Sequence, residues 1–489
     1  MIEQIPWRDP LGLYAPLAHE PFALLLESSG APQYNGSNSG ASEKTGRWSF
    51  IAADPFLRLT ARDGAVTQNG RPREGRPFEI LRDLLNSYAM EPDLPGASAD
   101  LPPFRGGAAG YLGYELAREL ERLPAPRATP PGKADPGLPD LMLGFYDTVL
   151  AFDHAEARAF IVSTGQPERA RAETRIAAWR TYIERTPDLG PLENARPSPG
   201  APPQSSAEID PIAYQRQIAR VIEYIWAGDI FQANLSQPFS APLRTNDTAW
   251  SLYRRLRHIS PAPFAAFFQT GAAAILSSSP ERFLRVHGRT VETEPIKGTR
   301  PRGATPAEDM ALAAELRGSQ KDRAENIMIV DLLRNDLSRV CRDHSIAVDR
   351  LCTLESFANV HHLVSRVTGE LRDGMDLVDL LTACFPGGSI TGTPKVRAME
   401  IIAELEAAPR GPYCGAIGYL GFDGAMDTSI AIRTAIVKDR TVHFRAGGGI
   451  TADSDPVAEY RETLDKVSAI HAAITSTAHD HLPGNRKRA

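Results

Sequence analysis

The chain has 489 residues, enough at roughly 150 per domain for two to four domains, and its 42% hydrophobic and 23% charged residues are ordinary for a globular protein. Its 54 Lys and Arg against 60 Asp and Glu leave a net charge of −6 with no long run of one sign, which excludes proteins that gather cations on one face to hold nucleic acid or a membrane surface. No segment reaches the ~18 uninterrupted apolar residues of a bilayer crossing, and the start lacks a basic-then-apolar secretory layout. The four cysteines, Cys341, Cys352, Cys384 and Cys414, make neither a CxxC pair nor a disulfide framework, so the expectation is an enzyme of the reducing cytoplasm.

In chain order, Phe22–Glu27 and Trp48–Ala52 read as strands and Phe78–Tyr88 as a helix. Phe104–Tyr111 reads as a glycine-rich turn followed by another helix. Two Pro-rich stretches follow, Leu123–Pro139 and Thr186–Ser206, each with six prolines; the first is expected to be a surface loop and the second a linker. These readings divide the chain into 1–185, a linker 186–206, a main body 207–475 and a polar, disordered tail 476–489. Beyond the linker, Ile212–Ala227 is an amphipathic helix stopped by Gly228. Phe264–Gln269 and Ala273–Ser277 read as strands, and Pro306–Leu316, Asp322–Leu337, Met375–Cys384 and Pro456–Ala473 as helices. The span Ser429–Val437 alternates as one strand. Strands and helices interleaved with long connections predict a large α/β or α+β body.

Several residues could carry chemistry. Lys297 lies in Pro295-Ile296-Lys297-Gly298-Thr299, between a strand-like run and a glycine turn; partly desolvated there, a lysine can become a nucleophile or base, but from the spacing alone the motif is weak and reads first as a surface lysine in a turn. Glu281, after the Ala273–Ser277 strand, would face the same cavity if the two preceding strands pair as a hairpin; otherwise it is a surface partner of Arg282. Glu325 lies on a helix that reads as apolar nearly all round, so its carboxylate needs a partner or a hard cation, unless it pairs with Lys321 at the surface. Arg433, opposite Ile430, Ile432 and Ile436 on its strand, suits recognition of a carboxylate. The loops Gly387–Lys395 and Gly447–Gly449 offer backbone N–H groups, but Lys395 arrives two places late for a phosphate-binding loop, which excludes ATP there. Glu462 lies opposite the apparent apolar stripe Val457, Tyr460, Leu464 and Val467, so periodicity alone predicts it to be exposed.

Nine segments in order resemble one family, the chorismate-utilising enzymes of the anthranilate synthase component I and aminodeoxychorismate synthase component I type. They are GDIFQANLSQ from Gly228, SPERF from Ser279, PIKGTRPRG from Pro295, KDRAENIMIVDLLRND from Lys321, VHHLVS from Val360, GGSITGTPK from Gly387, YCGAIGY from Tyr413, IAIRTA from Ile430 and AGGGITADSDPVAEYRET from Ala446. LLESS from Leu25 and GRWSFIAADP from Gly46 resemble the family's N-terminal part.

The resemblance implies an α+β fold, a large two-layered chorismate-binding body of antiparallel-rich sheets and packed helices. It implies Mg²⁺ on Glu325 and Glu462, against what periodicity says of Glu462. It implies a substrate carboxylate on Tyr413, Arg433 and the backbone of Gly447 and Gly449, contacts from Gly298, Thr299, Ser389 and Thr391, an active-site His362, and Glu281 as general acid. Where anthranilate synthases usually have PIAGT this chain has PIKGT, so Lys297 looks like the covalent nucleophile of the aminodeoxychorismate synthase branch, which aminates chorismate at C4. Ser389 stands where the anthranilate branch often has Thr. The family's tryptophan pocket would fall on Ser28, Pro263 and Phe264. No GxCxG nucleophile elbow is present, so the resemblance implies a separate glutamine amidotransferase subunit supplying ammonia, in a heterodimer. Anthranilate synthesis, a pyridoxal-phosphate enzyme using Lys297 and a silent scaffold are the competing readings; the last two lack, respectively, a phosphate cup and any missing catalytic position.

Overall fold

The computed structural model describes residues 1–28, 46–91, 101–124, 135–168, 170–188, 206–357, 360–406 and 408–476. Much of the Pro-rich stretches, 125–134 and 189–205, lies outside the described residues, as does the tail from 477. Strands buried along their whole length, such as Leu141–Tyr146 and Thr148–Asp153, indicate sheets covered on both faces. Among the described residues there are two sheets of twelve strands each, and every pairing is antiparallel.

The first sheet runs from Ile2–Ile5 through Leu24–Glu27, Phe264–Gln269, Ala274–Ser279 and Thr434–Lys438 to Thr441–Ile450 and Gln232–Pro242. The second runs from Ile296–Pro301 and Val360–Glu370 through Arg282–His287, Met426–Ile430 and Ala416–Gly421 to Gly107–Leu112 and Leu141–Tyr146. Each sheet thus takes strands from both sides of the 186–206 stretch. Phe50, Phe104, Tyr111, Tyr146, Phe268 and Tyr419 pack in one buried cluster drawn from both sheets. Helices Pro77–Ser87, Gln320–Ser338 and Leu377–Cys384 cover the second sheet, and Arg171–Arg185, Ala249–Ile259 and Pro456–Thr475 the first. The α+β expectation stands.

Four local readings change. Gly107–Leu112 is a buried strand and not a turn; at Gly107 and Gly110 a Cβ would come within 2.2 Å of Leu420 O and Met142 O, so these glycines permit close sheet pairing and punctuate nothing. Ser429–Val437 is not one strand: Met426–Ile430 belongs to the second sheet and Thr434–Lys438 to the first, with Arg433 in the crossing at φ 51°. The Gln320–Ser338 helix buries one face, through Asn326, Ile329, Val330, Leu333 and Leu337, while Ile327 is 40% exposed. The Pro456–Thr475 helix buries Glu459, Thr463, Val467 and Ile470 and exposes Val457 and Leu464, because its first half lies over polar residues and only its second half meets the apolar core. That helix runs on to Thr475, two residues past the Ala473 end read from the sequence.

The expected hairpin is present: Phe264–Gln269 pairs with Ala274–Ser279. The chain then crosses to the second sheet through Pro280 and Glu281, and later crosses back through Ala431–Arg433. The two crossings are laced together by Ile430 N donating to Glu281 O at 3.0 Å and Ser278 N to Arg433 O at 3.1 Å. Where the sheets part, side chains from both enter one space.

Candidate active site

Lys297 lies on the edge strand Ile296–Pro301, whose register against Val360–Glu370 slips between Lys297 and Thr299. Gly298 takes the bulge at φ 78°. The slip turns Lys297 Nζ inward, where it donates to Ser389 O at 3.2 Å. Glu281 is buried; burial raises its carboxyl above the usual range, partly offset by the Ser389 hydroxyl, the Lys297 ammonium and Ile296 N–H. A carboxyl held toward its neutral form beside an amine is placed to give up a proton. His362 is also buried: its Nδ1 lies 3.0 Å from Thr299 Oγ1 and its ring 5.6 Å from that of Phe357. Burial, with Arg433 and His361 acting the same way, lowers its pKa to about 4, so at neutral pH the ring is uncharged. Thr391 is fully buried and turns its hydroxyl to Gly387 O at 3.1 Å, shaping the loop that presents Ser389.

Within electrostatic reach of His362, half-buried Arg433 has its charge disfavoured by burial, against the pull of Tyr413 and Glu462. Tyr413 is buried, its N–H donating to Arg410 O at 3.2 Å. Gly447 and Gly449 lie along Gln232–Pro242 so closely that a Cβ would fall 2.1 Å from Leu235 O and from Gln232 Nε2. Gly448 faces the other way, toward Glu459 and Glu462 of the last helix.

Three carboxylates lie on two of the helices. Burial raises Glu325, Lys297 and Lys321 lower it, and the charges of Asp322 and Glu462 raise it further. The expected Lys321–Glu325 pair exists, but at 4.0 Å. Burial would raise Glu462, yet Lys466 at 2.5 Å outweighs it and holds the carboxyl below the usual range. Buried Glu459 accepts from Ser454 Oγ at 2.7 Å. Sequence reasoning missed Glu459 and Lys466; the latter also donates to Gly447 O at 2.9 Å and reaches Glu281 electrostatically. Their only signals were spacings of three and four residues from Glu462. Among the described residues no cluster of three or more His, Cys, Asp and Glu could hold a metal alone. Two oxygen-donor carboxylates whose charges repel nevertheless fit a hard cation that completes its shell with water and substrate oxygens.

A second space, about 390 Å³, lies apart from these residues. Ser28, Pro263 and Phe264 all line it, with Trp48, Phe50, Tyr419 and Arg282. Ser28 Oγ donates to Trp48 O at 3.0 Å, and the Arg282 guanidinium sits 5.0 Å from the Phe264 ring. The structure therefore brings Lys297, Glu281, Ser389, Thr299 and His362 within hydrogen-bonding or electrostatic reach of one another and of Arg433, Lys466, Glu325 and Glu462, with Tyr413 and the glycine strand beside them and the Ser28 group elsewhere.

A two-sheet body parted around a lysine, a neutral-leaning carboxyl, an arginine and paired helix carboxylates defines a class: the chain belongs to the family of chorismate binding enzymes, which matches residues 37–472. Anthranilate synthase component 1 of Streptomyces coelicolor is 43% identical over 82% of this chain and 78% of its own length. Aminodeoxychorismate synthase component 1 of Salmonella typhimurium is 40% identical over 95% of this chain and 96% of its own. The crystal structure of anthranilate synthase component I from Streptococcus pneumoniae superposes with a TM-score of 0.76 at 30% identity, covering 90% of this chain and 95% of that one. Among the described residues no helix is long and apolar enough to cross a membrane, and all four cysteines are free and buried.

Proposed function

We propose that the protein aminates chorismate at C4 to give 4-amino-4-deoxychorismate, using ammonia from a glutamine amidotransferase subunit, in the cytoplasm. The observation that carries this reading is the juxtaposition of Lys297 with Glu281 under the Ser389 loop. In the reading, the Lys297 amine adds at ring C2, the two conjugated ring double bonds each shift one place (C1=C2 to C1=C6, C5=C6 to C4=C5), and Glu281 protonates the C4 hydroxyl, which leaves as water. Ammonia then attacks C4, the double bonds shift back, and the lysine amine departs as Glu281 recovers a proton. The pyruvyl enol ether is untouched, so a separate lyase is needed to release 4-aminobenzoate.

Arg433, Tyr413 and the backbone of Gly447 and Gly449 would hold one substrate carboxylate, with Lys466 beside them. Glu325 and Glu462 would hold Mg²⁺, which when bound neutralises the other carboxylate against those glutamates. His362, uncharged and bonded to Thr299, would keep the lysine strand in register at the ring. The "component 1" names of the relatives support a partner subunit.

The second reading is amination at C2 with loss of pyruvate, supported by the 43% identity to a relative named anthranilate synthase component 1. Incubation with chorismate, Mg²⁺ and ammonium separates the two. An aminated product that keeps the pyruvyl mass is expected; fluorescent anthranilate together with free pyruvate would overturn the C4 reading.

A further inference from the structure

Tyr413 and the Ser389–Thr391 loop come from distant parts of the chain, and nothing in the reaction scheme explains what holds them in register. One buried guanidinium does. Arg410 donates through Nη1 to Ile390 O at 3.0 Å and through Nη2 to Asn234 O at 2.6 Å. It makes a two-pronged pair with Glu406 at 3.0 and 2.6 Å. Glu406 in turn accepts from Ser236 N at 2.8 Å and from Arg445 at 2.9 Å. Ser236 and Asn234 are the register partners of Gly447 and Gly449, and Arg410 O accepts the Tyr413 N–H. The Ser389 loop, the strand paired with the glycine strand and the Tyr413 turn are thus tied to a single residue, the first two through its guanidinium and the last through its carbonyl.

The Arg410 turn is itself pinned from the N-terminal part of the chain. Glu115, in the short turn Tyr114–Leu116, accepts Arg410 N at 2.7 Å on one oxygen and Gly411 N at 2.8 Å on the other. Tyr114 N donates back to Gly411 O at 2.8 Å, and the Arg410 guanidinium lies 4.5 Å over the Tyr114 ring. Two turns joined by three backbone-directed bonds leave the Arg410–Tyr413 segment little freedom.

We infer that Glu115 and Arg410 are positioning residues for substrate binding: Glu115 fixes the turn, and Arg410 transmits that placement to Tyr413, the Ser389 loop and the glycine strand. The inference rests on the chorismate reading of the site. A protonated carboxyl keeps one good acceptor and offers an O–H to the second N–H, so protonation gives up one of the two bonds. Burial raises Glu115 to about 7; its two backbone bonds oppose the rise and Asp140 adds to it. The other charged and titratable groups around it are Tyr114 and Arg118 of its own segment and Arg410 and Glu406 across the small cleft they line. Loss of binding is therefore expected as pH falls through about 7.

Glu115→Gln copies the protonated state at all pH values, with one carbonyl and an NH₂ facing the second N–H. At pH 8 its KM for chorismate is expected roughly tenfold above the parent, with kcat within about threefold. The parent's KM should climb toward the variant's by pH 6, while the variant's stays flat. Arg410→Lys keeps the charge but loses the fork, and should raise KM in the same way; if it fails to fold, the Glu115→Gln comparison decides alone. A parent-like KM for Glu115→Gln at pH 8, or a loss of kcat at unchanged KM that tracks lost folded protein, overturns the inference while leaving the chorismate reading intact. A parent chain that neither binds nor turns over chorismate overturns that reading, and this inference with it.

Discussion

Glu281 and Arg282 are consecutive residues whose side chains serve different spaces. Glu281 turns to Ser389 and Lys297, while Arg282 lines the cavity of Ser28 and Phe264 and is fastened by Glu292 at 2.9 Å, Glu294 at 2.5 Å and Asp427 at 3.1 Å. Adjacent residues of an extended chain point to opposite faces, so anything that shifts Arg282 moves the peptide carrying Glu281. The resemblance implies tryptophan as the occupant of that cavity, and a binding measurement tests it. Tryptophan at a hundredfold excess over its Kd is expected to stabilise the protein by about 2.7 kcal/mol, read as a rise in Tm. Ser28→Phe, which fills the cavity, should abolish the rise; a rise that survives would put the ligand elsewhere.

If Glu281 is the proton donor, Glu281→Gln removes it while keeping size and most hydrogen bonding. Turnover of chorismate should fall by about 10² to 10⁴, with binding retained. Because burial raises the pKa of Glu281, its protonated fraction falls as pH climbs through that raised value, so kcat of the parent should decline on the alkaline side. The residual kcat of the variant should lose that limb. A variant with the parent's pH profile would assign the acid to another group.

Lys297→Ala separates covalent from merely electrostatic help. If the amine adds to the ring, its removal should abolish the C4-aminated product, about 10³-fold or more, while chorismate still binds through Arg433 and Tyr413. Undiminished C4 amination, followed by mass, would remove the covalent route. The same variant also vacates the space under Ser389 that the Nζ now fills.

The candidate site residues stood out singly by local features, lysine beside glycine, glutamate at a strand's end, arginine between apolar neighbours, and only the resemblance grouped them into one site. What hid was tertiary. Glu459 and Thr463 are buried although an apolar-stripe rule puts Val457 and Leu464 inward, because that rule supposes an apolar surface beneath and this helix begins over a polar cleft. Arg433 was read on a continuous strand; alternation across Ser429–Val437 persists through a change of sheet, since both halves are buried. Gly107 and Gly110 read as a turn because glycine for close backbone approach and glycine for a turn look alike in sequence. Glu115 and Arg410 are 295 residues apart and no local pattern could pair them.

Glu325 and Glu462 yield a metal prediction that does not depend on turnover. Isothermal titration of the parent with Mg²⁺ in the presence of chorismate should show one site. Glu325→Gln should weaken it by tenfold or more, since a neutral amide replaces one of two charged donors. Glu462→Gln should do the same and also free Lys466 from its 2.5 Å partner. Normal Mg²⁺ titration in either variant would place the cation away from these helices.

His362 supplies a pH dependence of stability. Its pKa is depressed to about 4 in the folded chain against an ordinary 6.5, so between those values the unfolded chain takes up a proton that the folded chain refuses. Stability contributed by the neutral, buried ring is thus complete above pH 6.5 and drains away as pH falls toward 4. A shift of this size is worth about 3 kcal/mol at its limit. Many groups titrate over the same range, so the useful quantity is the difference in unfolding free energy between the parent and His362→Gln, measured by denaturant at pH 7.5 and again at pH 4.5. The parent's advantage should shrink by about 2–3 kcal/mol between the two. A difference that stays constant would mean that the imidazole is as free to protonate in the folded chain as in the unfolded one, and that its burial does not shield it.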